Sequence, residues 1–99
     1  VLVEAFDLAD QKVMLIENFA ARFPDRPMVT GSGMAGYGPA NTVLSLQVAR
    51  NLYLCGDATT AAAPGTGLMA PRVGVAAHHQ ANAVLRLLLG EPPDKEGKL

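Results

Sequence analysis

In the first half of the chain, the distribution of apolar and polar positions predicts a strand, a helix and a second strand. Residues 1–6 are mostly apolar, which is typical of a parallel strand covered on both faces. A second short strand is expected at residues 28–30, leading into a glycine-rich run at residues 31–39. Between the two strands, apolar positions at helical spacing predict a helix with one buried face, formed by Val13, Ile16, Ala20 and Phe23.

The second half predicts a hairpin followed by a long helix. Residues 42–48 alternate weakly, residues 49–51 form a turn, and residues 52–55 form the next strand. After a loop at residues 56–70, Pro71 suits the first turn of a helix that Gly90 would cap. A helical plot of this segment predicts a buried stripe made of Val73, Gly74, Ala77, Ala81, Val84, Leu85 and Leu88. The opposite side would carry Arg72, His79, Asn82 and Arg86.

These elements predict an α/β fold, and the length limits it to one small domain. We expect residues 1–90 to form this unit and residues 91–99, which are charged and rich in proline and glycine, to form a mobile tail. Because the sequence begins with Val1 in an apolar run, we interpret it as the C-terminal piece of a longer chain. Its apolar fraction of 49% suggests that some apolar surface is covered by another segment or chain.

Composition excludes several classes of function. The net charge is −1 and basic residues form no run, so we expect no nucleic-acid partner. No stretch is apolar enough to span a membrane. One cysteine fits a reducing compartment, and a cytoplasmic protein is expected. A single cysteine excludes an internal disulfide and a zinc site built on paired CxxC motifs.

Two segments are candidates for binding chemistry. Asp7 follows the first strand, where a carboxylate can hold Mg²⁺ on nucleotide phosphates. Spacing alone favours a cap for the following helix, and the two roles can coexist. The glycines of residues 31–38 do not match the GxGxxG spacing, so a phosphate loop is weakly indicated. They favour either close approach of a ligand to the backbone or a flexible turn.

Four further side chains could take part in chemistry or in packing. Arg72 opposes the dipole at its helix start, which makes it a candidate for phosphate or carboxylate contact or an exposed surface residue. Cys55 lies in an apolar strand and is expected to be buried and structural. The adjacent His78 and His79 point about 100° apart, so they do not chelate one metal. We expect His79 to be solvated and His78 to border the packed face.

The motifs together resemble the ThiF/MoeB/HesA family, which is related to the ubiquitin-activating enzymes. The resemblance rests on Val-Glu-Ala-Phe-Asp at residues 3–7, the Gly-Ser-Gly-Met-Ala-Gly-Tyr-Gly run at 31–38, Leu-Cys-Gly-Asp at 54–57 and Gly-Thr-Gly-Leu-Met-Ala-Pro-Arg-Val at 65–73. It implies the C-terminal half of a Rossmann-like three-layer domain, with a mixed sheet and a long C-terminal helix. The short "family 2" ThiF variety, which lacks the zinc-binding CxxC pairs, is the most similar.

The resemblance implies an ATP- and Mg²⁺-dependent adenylyltransferase. Such an enzyme activates the C-terminal Gly-Gly carboxylate of a ThiS-like, ubiquitin-fold sulfur carrier for thiamine or related cofactor synthesis, usually as a homodimer. Phe6 and Asp7 would contact the nucleotide, with Asp7 serving catalysis and the metal, although Leu8 stands where many relatives have Asn. The carrier's tail would run past Gly33, Met34, Ala35, Gly36, Gly65, Thr66, Gly67, Met69 and Arg72. The family's nucleotide loop lies upstream, so we expect this piece alone to be inactive.

Two alternatives remain open. Asn-Leu-Tyr-Leu-Cys-Gly-Asp-Ala at residues 51–58 resembles the strand-Gly-Asp segment of FAD-dependent pyridine-nucleotide oxidoreductases, in which the aspartate binds the ribityl chain of FAD and a helix follows. In those proteins the helix usually begins sooner, and the Met-Ala-Pro-Arg segment has no counterpart. The other alternative is a non-catalytic module that binds a protein or dimerises.

Overall fold

A four-stranded mixed sheet and two helices form the described part of the chain, residues 1–5, 9–58 and 67–95 of a computed structural model. In chain order the elements are β1 (Leu2–Glu4), α1 (Ala9–Arg22), β2 (Met28–Gly31), a 3₁₀ turn (Ala40–Thr42), β3 (Leu44–Ala49), β4 (Leu52–Gly56) and α2 (Ala70–Leu88). The predicted α/β class, mixed sheet and C-terminal helix are therefore confirmed.

The sheet has the strand order β1-β2-β4-β3. The first three strands in this order run parallel, and β3 pairs antiparallel with β4, as the predicted hairpin requires. Asn51 takes a left-handed conformation with φ 59° in the turn between β3 and β4, a conformation that asparagine tolerates. Because β1, β2 and β4 are parallel, their carboxyl ends meet at one edge of the sheet.

Helix α2 packs on the sheet with a different face from the one predicted. Its buried residues are Arg72, Ala76, Gln80 and Ala83, and Ala83 joins Val29 and Cys55 in the core. Of the predicted stripe, Val84 packs against this core, whereas Ala77, Ala81, Leu85 and Leu88 are exposed. The prediction was wrong because small residues let the helix approach the sheet closely, while the two buried polar side chains find hydrogen-bond partners there.

Helix α1 and strand β1 are less covered than predicted. No residue of α1 is buried among the described residues, and both Val13 and Phe23 of its expected buried face are exposed. Strand β1 lies at the edge of the sheet, and Val1 and Val3 are exposed rather than covered. Leu2 and Glu4, on the opposite face, are half-buried and buried, so the expected coverage on both faces is wrong: in the described part of the chain one face of β1 is covered.

The first residues of the expected tail lie against the rest of the chain. Arg86 of α2 donates hydrogen bonds to the carbonyls of Pro92 and Lys95, and the backbone N–H of Gln47 donates to Asp94. Pro93 is buried. Residues 96–99 lie outside the described residues, and the mobility of the tail stays a prediction.

Candidate functional site

The end of β4 is held tightly against the loop that follows β2. Gly56 has φ +146°, and a Cβ atom at this position would lie 1.6 Å from the carbonyl oxygen of Ser32. The Asp57 N–H donates to the carbonyl of Gly33 at 2.9 Å, and the Ala58 N–H donates to the carbonyl of Ser32 at 3.2 Å. Only glycine fits this contact, which fixes Asp57 directly after the strand, at the carboxyl edge of the sheet.

Arg72 pairs with Asp57 from the first turn of α2. Its Nη2 donates to Asp57 Oδ2 at 2.7 Å, and the two side chains are 5% and 13% exposed. The same guanidinium donates to the carbonyls of Gly38 and Pro39 and to the hydroxyl of Thr42, at 3.0–3.1 Å. Arg72 thereby ties α2, the end of β4 and the glycine-rich loop together.

Two cavities flank this ion pair. An open groove of about 950 Å³ is lined by residues of the glycine-rich loop together with Asp57 and Arg72. A smaller cavity of about 190 Å³ shares part of the loop and Arg72, and adds Met69, Pro71 and Val75 as a wall. The larger volume lies within the usual range for small-molecule sites, and its place at the carboxyl ends of parallel strands is where α/β proteins bind ligands.

The two segments expected to line the path of a substrate tail are joined in the structure. The Gly36 N–H donates to the Gly67 carbonyl at 2.9 Å. Ala35 and Gly36 line the larger groove, Gly36 and Met69 line the smaller cavity, and Arg72 lines both. Gly33 accepts the hydrogen bond from Asp57, and the methyl group of Met34 lies close to Gly31.

Four predicted site residues lie outside the described part of the chain: Phe6, Asp7, Gly65 and Thr66. The nucleotide, metal and catalytic roles expected of Phe6 and Asp7 therefore stay predictions. The prediction that Arg72 is either an anion contact or an exposed residue has a clear structural outcome. Arg72 is buried, and the carboxylate it contacts belongs to Asp57.

A second buried charge, which sequence reasoning missed, lies at the carboxyl end of β1. Glu4 is 1% exposed; its carboxylate accepts hydrogen bonds from Lys12 Nζ at 2.9 Å and from the Thr30 hydroxyl. Lys12 also donates to the Gly31 carbonyl at 2.7 Å, where the glycine-rich loop begins. The signal was present in the sequence: a lone acid in an apolar strand must find a partner when it is buried.

Cys55 and the two histidines take different environments. Cys55 is fully buried, as predicted, and burial raises its thiol pKa above the ordinary value of 9.0 although the contact with Ser45 acts in the opposite direction. The Ser45 hydroxyl also lies 2.9 Å from His79 Nδ1. His79 is partly buried, so the prediction that it is solvated was wrong. His78 is exposed. None of these three residues lines either cavity.

Comparison of the chain with protein-family models, with curated proteins and with solved structures finds no match. Among the described residues, no helix has the length and apolar character to cross a membrane. In the same residues, no three histidine, cysteine, aspartate or glutamate side chains cluster in a way that could hold a metal ion.

Proposed function

We propose that this chain forms part of the FAD site of a flavin-dependent oxidoreductase, with Asp57 accepting hydrogen bonds from the ribityl hydroxyls. The observation that carries this proposal is the position of Asp57. It follows β4 at the carboxyl edge of the sheet, borders the larger groove, and lies beside the first turn of α2. This is the order of strand, Gly-Asp and helix expected for the flavoprotein alternative, in a Rossmann-like half-domain.

The chemistry of Asp57 suits a ligand rich in hydroxyl groups. An ionised carboxylate only accepts hydrogen bonds, so ligand hydroxyls would donate to Asp57. The guanidinium in turn offsets the cost of keeping this carboxylate charged in a largely buried position. The fixed backbone at Gly56 and Gly33 supports the same role, because it holds the carboxylate in one place before any ligand binds.

The state of Arg72 counts against the role that the adenylation hypothesis gives it. In the adenylation hypothesis this residue would face the carboxylate of a carrier's tail, or a phosphate. Here its charge is matched by Asp57, and its Nη groups donate to Gly38, Pro39 and Thr42. Because Asp57 already balances its charge, Arg72 offers no unmatched positive charge to the carboxylate of a carrier's tail.

The flavin proposal is tested on the full-length protein. Purified protein should be yellow, show a flavin absorption band, and release FAD on denaturation, identified by chromatography against FAD and FMN standards. Apoprotein prepared by acid precipitation should recover the band when FAD is added. Protein that carries no flavin and takes none up would contradict the proposal.

Adenylation of a ubiquitin-like sulfur carrier is the second candidate, supported by the hydrogen bond between Gly36 and Gly67 that joins the two expected tail-path segments. This candidate includes ATP and Mg²⁺ bound through Asp7, a cytoplasmic homodimer, and a ThiS-like partner. It predicts carrier-dependent exchange of pyrophosphate into ATP by the full-length protein and none by residues 1–99 alone. A full-length protein without exchange activity would contradict it.

A further inference from the structure

The glycine-rich loop is held at each end by a cation that also pairs with a carboxylate. At its far end this cation is Arg72, which pairs with Asp57 and binds loop carbonyls as described above. At its start the cation is Lys12, whose Nζ donates to the Gly31 carbonyl at 2.7 Å and to Glu4 at 2.9 Å. The two contacts are alike in chemistry, but Arg72 lines the larger groove and Lys12 does not.

Lys12 binds the loop at the point where the pairing of β1 with β2 stops. The register of these strands ends with Glu4 opposite Thr30, and Gly31 has a partner on β4 but none on β1 among the described residues. The Gly31 carbonyl accepts from Lys12 instead. The lysine side chain is 20% exposed and the Glu4 side chain 1%, so water competes little for these bonds.

The position of Gly31 bears on the wall of the larger groove because the two are close along the chain. Ala35 and Gly36, which line this groove, are buried and follow Gly31 by four and five residues. Between them and beyond, the loop turns through Gly33 and Gly36, with φ of 78° and 74°. Glycine has the largest backbone freedom of any residue, so a loop of this composition needs contacts that fix its path. A shift at Gly31 would therefore be passed on to Ala35 and Gly36.

We propose that Lys12 is a positioning residue for the larger groove. It fixes the start of the glycine-rich loop, and thereby the wall that Ala35 and Gly36 form, without lining the groove itself. Glu4 holds the lysine Nζ in place for this contact. The role does not depend on which ligand the groove binds, whereas its effect on FAD affinity rests on the proposed function.

The test measures hydrogen exchange of the Gly36 amide and FAD affinity in the full-length protein. The Gly36 N–H donates to the Gly67 carbonyl, so its exchange reports on the position of the loop. In Lys12→Met this amide should exchange at least about tenfold faster, relative to amides in the middle of α2, and FAD should bind about tenfold more weakly. Lys12→Arg keeps a cation with N–H donors and should restore most of both properties.

Two further variants separate positioning from a general loss of stability. Ile16→Ala removes a half-buried apolar side chain from the same helix and should leave both properties unchanged. The double variant Lys12→Met with Glu4→Leu removes both charges and the donor to Gly31, and it should show the same two changes as Lys12→Met. Replacing a whole buried ion pair by apolar residues is often neutral for stability, so this variant serves if Lys12→Met does not fold.

Unchanged exchange of the Gly36 amide in the double variant, or an equal increase in Ile16→Ala, would overturn the proposal. Faster exchange of this amide with unchanged FAD affinity would overturn it as well. A full-length protein that binds no FAD contradicts the flavin proposal alone, and the exchange measurement then decides the role of Lys12.

Discussion

Charged side chains are buried near the carboxyl ends of the parallel strands and exposed near their amino ends. At the carboxyl ends, Glu4 is 1% exposed and Arg72 is 5% exposed, each with an ion-pair partner. At the amino ends, the Arg50–Asp25 pair is 82% and 83% exposed. Burying charge is costly even when it is paired, so a fold keeps buried charges mainly where they serve a site or fix a unique geometry. The contrast supports our choice of the carboxyl edge as the candidate functional edge.

The largest effect is expected from Gly56→Ala at the carboxyl edge. The added methyl group would lie 1.6 Å from the Ser32 carbonyl oxygen, and φ +146° is a conformation that alanine rarely adopts. We expect a loss of about 4 kcal/mol or more in the free energy of unfolding, measured by urea denaturation. Gly74→Ala is the matched control: nothing lies near its Cβ, so it should instead stabilise α2 by about 0.5–1 kcal/mol. Similar effects of the two substitutions would contradict the close contact at Gly56.

Asp57→Ala is expected to have the next largest effect. It leaves the Arg72 guanidinium buried without its carboxylate, and removing one partner of a buried pair costs about 3 kcal/mol or more. The double variant with Arg72→Met should recover part of this loss, because the uncompensated charge is gone. Urea denaturation of the four proteins in a double-mutant cycle measures the coupling. A cycle with no coupling would show that the ion pair is not formed.

A smaller effect is expected from alkaline pH on the core. Burial raises the pKa of Cys55 above 9.0, and burial followed by the charge of Asp94 raises that of Tyr53 above 10.0. The folded state therefore favours the protonated forms, so their stabilisation is complete below pH 9 and is lost as the pH rises through the raised pKa values. The free energy of unfolding should fall less steeply with rising pH in Cys55→Ala than in the unmodified protein. An identical decline in both proteins would contradict a buried thiol.

The smallest effect belongs to the amino edge. Arg50→Ala removes an ion pair that water surrounds, and exposed pairs contribute about 0–1 kcal/mol after side-chain entropy and salt screening. Its midpoint in urea should lie close to that of the unmodified protein at ordinary ionic strength. If Arg50→Ala lowered the free energy of unfolding as much as Asp57→Ala, the predicted difference in stability between the two edges would be contradicted.

The order of helices and strands could be predicted from the sequence because hydrophobic periodicity and turn or capping residues are local properties. The hairpin, the burial of Cys55 and the proline at the start of α2 all follow from neighbouring residues. The buried face of α2 does not, because it depends on which side chains find partners across the sheet. Gln80, for example, donates to the carbonyl of Glu4, 76 positions away. No periodicity in the helix carries that information.

The candidate site was predicted in part for the same reason. The glycine-rich loop and the segment that leads into α2 were identified from residue types, and they do meet through Gly36 and Gly67. The pairing of Arg72 with Asp57, and of Lys12 with Glu4, required the strands to be placed side by side. A sequence shows that a charge needs a partner, whereas the fold decides which partner it has.

The central claim, that Asp57 holds the ribityl chain of a flavin, is tested most directly by FAD affinity. Flavin-free full-length protein and its Asp57→Asn variant are titrated with FAD, with circular dichroism to show that both are folded, and Asp25→Asn serves as the exposed control. We predict that Asp57→Asn binds FAD at least about tenfold more weakly, because a hydrogen bond to a charged acceptor is lost, while Asp25→Asn is unchanged. Equal FAD affinity of the unmodified protein and Asp57→Asn would contradict the claim.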